Sequence, residues 1–221
     1  KAPAGFVSSN EVLNFDASYQ GQDVETVVLK AVKKNQPTTV EITKSDITTG
    51  TELDGASLKV LDKDGNVVDE WTSVKDAPHV IKRLVVGETY TLREEFAPYG
   101  YLKATDITFT VEDNGDVQKV EMKDEVPTGL LIINKKGEFL DKVTLLDNAK
   151  GTVEHLFEYI TGSLTEVTFH VYAAEDIKAA DGVSEDYFKA DELVGTITTD
   201  TNGIAQLGDL PVGKYYVKEA E

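Results

Sequence analysis

At 221 residues, with 40 acidic against 22 basic side chains and a formal charge of -18, the chain is long enough for more than one domain and repels nucleic-acid phosphates and anionic membranes. Its 40% hydrophobic content excludes a disordered chain, the lack of cysteine excludes disulfides and thiolate metal sites, and no apolar run approaches the roughly 20 residues of a membrane span. Lys1 opens neither a signal peptide nor a transit peptide, so the chain reads as a mature segment.

Residues 1–37 begin with Ala2-Pro3-Ala4-Gly5-Phe6 and run through a polar stretch to Val24–Val32, where Thr, Val and Leu predict a strand; Pro37-Thr38-Thr39 follows as a joint. From Val40 the alternation of Val40, Ile42 and Lys44 against Glu41, Thr43 and Ser45 predicts a strand that carries a lysine on its apolar face. Ala56, Leu58 and Val60 lead into the Asp62-Lys63-Asp64-Gly65-Asn66 turn, and Val67, Val68 and Trp71 complete a hairpin. Strands are predicted for His79–Leu84 and Tyr90–Glu94. The second of these places Tyr90, Leu92 and Glu94 on one face, which aims a carboxyl at the core before the pattern breaks at Ala97-Pro98-Tyr99-Gly100-Tyr101. Ile107, Phe109 and Val111 alternate up to the Asp113-Asn114-Gly115-Asp116 turn, and a last strand over Val117–Asp124 puts Val120, Met122 and Asp124 on one face.

After a second joint at Pro127-Thr128-Gly129 the order of features repeats, the sign of tandem units. Leu131 and Ile133 lead to Lys135, and Leu130 and Ile132 lead to Lys136, so one of these lysines is the counterpart of Lys44. The stretch Phe139–Leu164 has no counterpart in the first unit; the alternation of His155, Phe157 and Tyr159 favours a strand there over a short helix. Val167, Phe169 and Val171 mirror Ala56, Leu58 and Val60, and Tyr215, Val217 and Glu219 repeat the spacing of Tyr90, Leu92 and Glu94. Reading from Glu221 into Lys1 restores a glutamate motif followed by Ala-Pro-x-Gly. Residues 1–37 and 127–221 are therefore expected to be two parts of one kind of domain, around a complete domain at 38–126.

Lys44, Glu94 and Asp124 are three core-facing ionisable residues on three strands. If they meet, burial disfavours the charged form of each, and a neutral amine faces a neutral acid. The amine can then attack the Asp124 carboxyl carbon while Glu94 shuttles protons, and loss of water leaves an intramolecular isopeptide bond.

The strings Ile42-Thr43-Lys44-Ser45-Asp46, Leu53-Asp54-Gly55-Ala56, Tyr90-x-Leu92-x-Glu94 with Ala97-Pro98-x-Gly100-Tyr101, and Met122-Lys123-Asp124 resemble the collagen-adhesin B-type (Cna_B, SpaA-like) domains of Gram-positive surface adhesins and sortase-assembled pilins. The resemblance covers residues 40–126 fully and both terminal pieces in part. It implies an all-β fold of tandem immunoglobulin-like sandwiches whose first and last strands run parallel, an extracellular place on the cell wall, and no cofactor. It further implies Lys44 as nucleophile, Glu94 as proton shuttle and Asp124 as acceptor in the middle domain, where many relatives carry asparagine as the acceptor. For the split domain it implies Lys135 as nucleophile, with Lys136 the runner-up, Glu219 as shuttle and Asn35 as acceptor with release of ammonia. Closing that site head to tail between neighbouring molecules, or along a tandem array, is the expectation that follows.

Other constellations are weaker. Asp62-x-Asp64-Gly65-Asn66 opens like a calcium loop, but its glycine comes early and the closing glutamate is absent. His79, His155 and His170 lack metal-ligand spacing, and Glu94 and Glu95 point to opposite faces of one strand, against a glycosidase. The expected role is a structural stalk, not an enzyme, because the self-reaction turns over once. Its partners would be neighbouring domains of the same surface protein. The alternative is a ligand-binding adhesin region contacting host matrix or glycan, with Phe139–Leu164 the place to look.

Overall fold

The structure, a computed structural model, describes residues 1–147 and 153–220, and its side chains outside 146–154. It holds fourteen strands and, among the described residues, no helix. Two compact units divide the chain, Lys1–Glu125 and Val126–Glu221.

In the first unit the strands are β1 (Thr39–Asp46), β2 (Ser57–Leu61), β3 (Val67–Thr72), β4 (His79–Lys82), β5 (Thr89–Phe96), β6 (Ile107–Thr110) and β7 (Val117–Asp124). They form two sheets, β4-β1-β7 and β3-β2-β5-β6. Period-2 alternation along most of β1, β2, β5 and β7 makes one face of each sheet apolar: Val40, Ile42, Val120 and Met122 from one, Leu58, Val60, Tyr90 and Leu92 from the other, all buried in one core. The link that local patterning could not specify is β1 against β7. These are the first and last strands of the unit, and they pair in parallel from Thr39↔Val117 to Asp46↔Asp124. A parallel pair needs a long crossover, here the whole of the intervening unit.

Residues 1–37 belong to this unit but add no strand to it. The strand expected over Val24–Val32 is not formed: no ladder includes those residues, and Val24, Val28, Leu29 and Val32 are exposed. The reason is physical, since a strand is defined by a ladder and this segment has no neighbour to pair with. Its two ends are held. Val7 donates to the Gln36 carbonyl at 2.8 Å, Thr38 donates to Gly5 O at 3.1 Å, and the Arg83 guanidinium lies 5.5 Å above the Phe6 ring. Gly5 sits at φ +78° with its α-carbon against Arg83, where a Cβ would stand 2.5 Å from the Arg83 carbonyl oxygen. Gly5→Ala is therefore expected to release residues 3–8, at a cost of about 1–2 kcal/mol from the left-handed backbone alone. Hydrogen exchange at Phe6 and Val7 should accelerate about tenfold while the β1–β7 amides keep their protection.

The second unit contains β8 (Thr128–Asn134), β9 (Lys136–Asp147), β10 (Val153–Ser163), β11 (Thr168–Ala173), β12 (Leu193–Thr198), β13 (Ile204–Pro211) and β14 (Tyr215–Glu219). The Pro127-Thr128-Gly129 joint is thus partly strand, with Gly129 opposite Leu210. β12-β11-β14 reproduces β3-β2-β5, and β13-β8 reproduces β4-β1. The Phe139–Leu164 stretch forms most of a separate hairpin, β9 against β10, with a bulge at Glu158/Tyr159. A small core of Phe169, Val171, Ile197 and Ala205 holds this unit together.

Candidate functional site

Three strands of the first unit deliver the site. Alternation on β1 turns Lys44 inward after Ile42, on β5 it turns Glu94 inward after Leu92, and on β7 it turns Asp124 inward after Met122. The Lys44 and Glu94 side chains are 1% and 0% exposed, and that of Asp124 is 0% exposed. Lys44 Nζ donates to Asp124 Oδ1 and lies 3.1 Å from Glu94 Oε1. Glu94 Oε2 accepts a 2.6 Å hydrogen bond from the Ala104 amide, which fixes the carboxyl from its far side.

Two carboxyls face one amine with no water-exposed surface, and Asp124 Oδ2 is buried without a hydrogen-bond donor among the described residues. Burial pushes the Asp124 carboxyl up to about 6; Lys44 opposes that shift, and the adjacent Glu94 carboxyl reinforces it. In general, an unprotonated amine beside a carboxyl that holds its proton is the arrangement from which an amine can attack a carboxyl carbon. The apolar neighbours along these strands are buried: Ile42, Leu58, Leu92 and Met122 are each no more than 2% exposed.

Several supporting groups had no signal in the residue pattern. The Ala104 amide is a backbone donor, which any residue type supplies. Asp46, buried one turn of the β1 pleat beyond Lys44, accepts from the Thr48 and Thr49 amides at 2.7 and 2.8 Å and from the Tyr101 hydroxyl at 2.8 Å. These contacts tie the Ala-Pro-x-Gly-Tyr loop to the end of the first strand. Asp46 and Tyr101 both stand in the motif strings, so their presence was legible and their contact was not.

In the second unit Lys135 Nζ donates to Glu219 Oε2 at 2.7 Å, which brings together the counterparts of Lys44 and Glu94. Lys136, the runner-up, begins β9. The pair is open, with side chains 32% and 48% exposed. Asn35 lies in the first unit, where its carboxamide donates to Val7 O at 3.0 Å. Glu95 is half exposed and 3.7 Å from Lys59, on the face opposite Glu94. Among the described residues no cluster of His, Asp or Glu has the makings of a metal site. His79 instead stacks on Trp71 at 4.0 Å between ring centroids and hydrogen-bonds Asp69 at 2.9 Å.

The family profile of the SpaA prealbumin-like fold domain matches residues 38–126 and 158–221. No curated protein matches the chain. Among solved structures, the Bacillus anthracis TIE protein is 26% identical with a TM-score of 0.48, over 86% of this chain and 30% of its own, so this chain spans under a third of that protein. The C-terminal domain of the shaft pilin SpaA from Lactobacillus rhamnosus GG is 21% identical with a TM-score of 0.33, over 41% of this chain and 98% of that one. BcpA, the major pilin subunit of Bacillus cereus, is 13% identical with a TM-score of 0.38, over 83% and 88%. With its all-β units and with more than half of its length matched by that profile, the chain belongs to the SpaA prealbumin-like fold domain family.

Proposed function

We propose that the chain is a load-bearing part of the stalk of a Gram-positive surface pilin or adhesin, and that its first unit is closed by an autocatalytic isopeptide bond between Lys44 and Asp124. The observation that carries this is the dry Lys44–Glu94–Asp124 cluster, which joins the first and last strands of one sandwich. Lys44 Nζ attacks Asp124 Cγ; a C–N bond forms, a C–O bond breaks, and Glu94 relays the amine proton to the departing hydroxyl, which leaves as water. The Ala104 amide holds Glu94 in place for that relay. An extracellular location on the cell wall goes with this role.

Intact mass under denaturing conditions tests it. The folded chain is expected one water lighter than its sequence, and Lys44→Ala and Glu94→Ala are expected at their full sequence masses. A wild-type chain at full mass would sink the mechanism.

A second reading, a region gripping a host matrix ligand, is favoured by one feature only. The β9–β10 hairpin exposes Phe139, Leu140, Phe157, Tyr159 and Ile160, a larger apolar surface than a two-stranded ribbon needs.

A further inference from the structure

The amide that holds Glu94 comes from Ala104, in the connection 97–106 between β5 and β6, which lies in no strand. Such a connection has no ladder to fix it. Its 2.6 Å hydrogen bond to Glu94 Oε2 nevertheless requires a fixed backbone at Ala104. Two contacts supply it, and both end beside the reacting groups. The Tyr101 hydroxyl donates to Asp46 Oδ2 at 2.8 Å, and the Leu102 amide donates to the Glu125 carbonyl at 2.8 Å. Asp46 follows Lys44 by two residues on β1, Glu125 directly follows Asp124, and Asp46 and Asp124 are register partners in the parallel ladder. The connection is thus strapped across the ends of the two strands that carry the nucleophile and the acceptor.

We infer that Tyr101 and Asp46 are positioning residues for the Lys44–Asp124 linkage, acting through the Ala104 amide on the Glu94 carboxyl. This inference rests on the isopeptide chemistry proposed for the first unit. Asp46 is itself anchored, because it is buried and its Oδ1 accepts the Thr48 and Thr49 amides, so the tyrosine meets an acceptor of set orientation. Tyr99, two residues earlier in the same connection, is fully exposed, so Tyr101 is placed by this contact and not by general burial of the loop.

The consequence for the reaction lies in which oxygen of Glu94 moves the proton. An amide N–H donates to an oxygen lone pair, and Ala104 takes Oε2 for that purpose. Oε1 is left buried, 3.1 Å from Lys44 Nζ, as the oxygen that receives the amine proton and passes it to the departing hydroxyl. If the strap is released, the donor at Oε2 moves and the carboxyl turns. A misplacement on the order of 1 Å can cost about a hundredfold in rate.

The test starts the reaction with light, on full chains carrying a photocaged lysine at position 44. Aliquots denatured from seconds onward are read by intact mass for the loss of one water. Tyr101→Phe removes a single oxygen atom and is expected to link about tenfold more slowly than wild type, and Asp46→Ala at least as slowly. Asp46→Asn is expected to recover most of that loss. Its carboxamide oxygen still accepts the Thr48 and Thr49 amides, and its NH2 donates to the Tyr101 oxygen in place of the original bond. In the completed proteins, hydrogen exchange at the Ala104 amide should be about tenfold faster in Tyr101→Phe, with the β1–β7 amides unchanged.

Three results overturn the role: Tyr101→Phe linking as fast as wild type, slowed linkage with Ala104 protection intact, or Asp46→Asn as slow as Asp46→Ala. A wild type that never loses water sinks the first-unit bond and this role with it. A wild type that links beside an equally fast Tyr101→Phe sinks the role alone.

Discussion

Lys44→Met is expected to lower the melting temperature of the first unit by 20 °C or more and to make its stability fall with rising pH. The proposed Lys44–Asp124 bond spans a sequence separation of 80. By analogy with disulfide loop closure, its loss costs about 4.5 kcal/mol, or roughly 20–30 °C for a domain of this size. Methionine fills most of the lysine volume, so a cavity adds little, but Glu94 and Asp124 are left buried without a cation. The sign of the pH dependence follows from Asp124. Its carboxyl stands at about 6 against an ordinary 3.8 even with Lys44 pulling it down, and removing Lys44 pushes it higher. A folded-state value above the unfolded one means that the variant has its full stability below about pH 4. It loses stability as pH climbs through 6 and beyond, at up to about 1.4 kcal/mol per unit. Once the proposed bond has formed in the wild type, Asp124 is an amide, does not titrate, and contributes no such slope. Thermal melts of both proteins at pH 5 and pH 8 check this; a variant that is equally stable at both values would contradict it.

How much of this was legible depends on the range of the interaction. Period-2 alternation is local, and it located β1, β2, β5 and β7 and turned Lys44, Glu94 and Asp124 inward from residue order alone. The pairing of β1 with β7 joins residues about 80 apart and leaves no trace in either strand. It was reached through the likeness to a family, and it is the feature that makes three scattered residues into one cluster. The Val24–Val32 segment shows the opposite failure. Its composition favours a strand, but composition supplies no partner, and no strand forms there. The same holds for Glu219, whose spacing matches Glu94 but whose burial does not. Burial comes from the strands laid across a residue, not from its own strand.

Under tension the linked and unlinked chains are expected to differ by a full domain's length. Force enters the first unit at the start of β1 and leaves at the end of β7, and the two strands are parallel, so their ladder is loaded in shear from opposite ends. With Lys44 joined to Asp124 the covalent path runs along β1, across one amide and out, and the chain between those two residues, whose sequence separation is 80, carries no load. The sheet can then neither rupture nor extend, whatever its hydrogen bonds are worth. In Lys44→Met the only resistance is noncovalent, and once the ladder fails that stretch of chain pays out about 270 Å of extra contour length. Single-molecule pulling from the two termini should show that step in the variant and in Glu94→Ala, and no step of that length in the wild type. A step of that length in the wild type would mean that the β1–β7 contact is an ion pair and not a bond. The cluster would then be a buried charge network, whose removal costs stability without changing how the chain bears load.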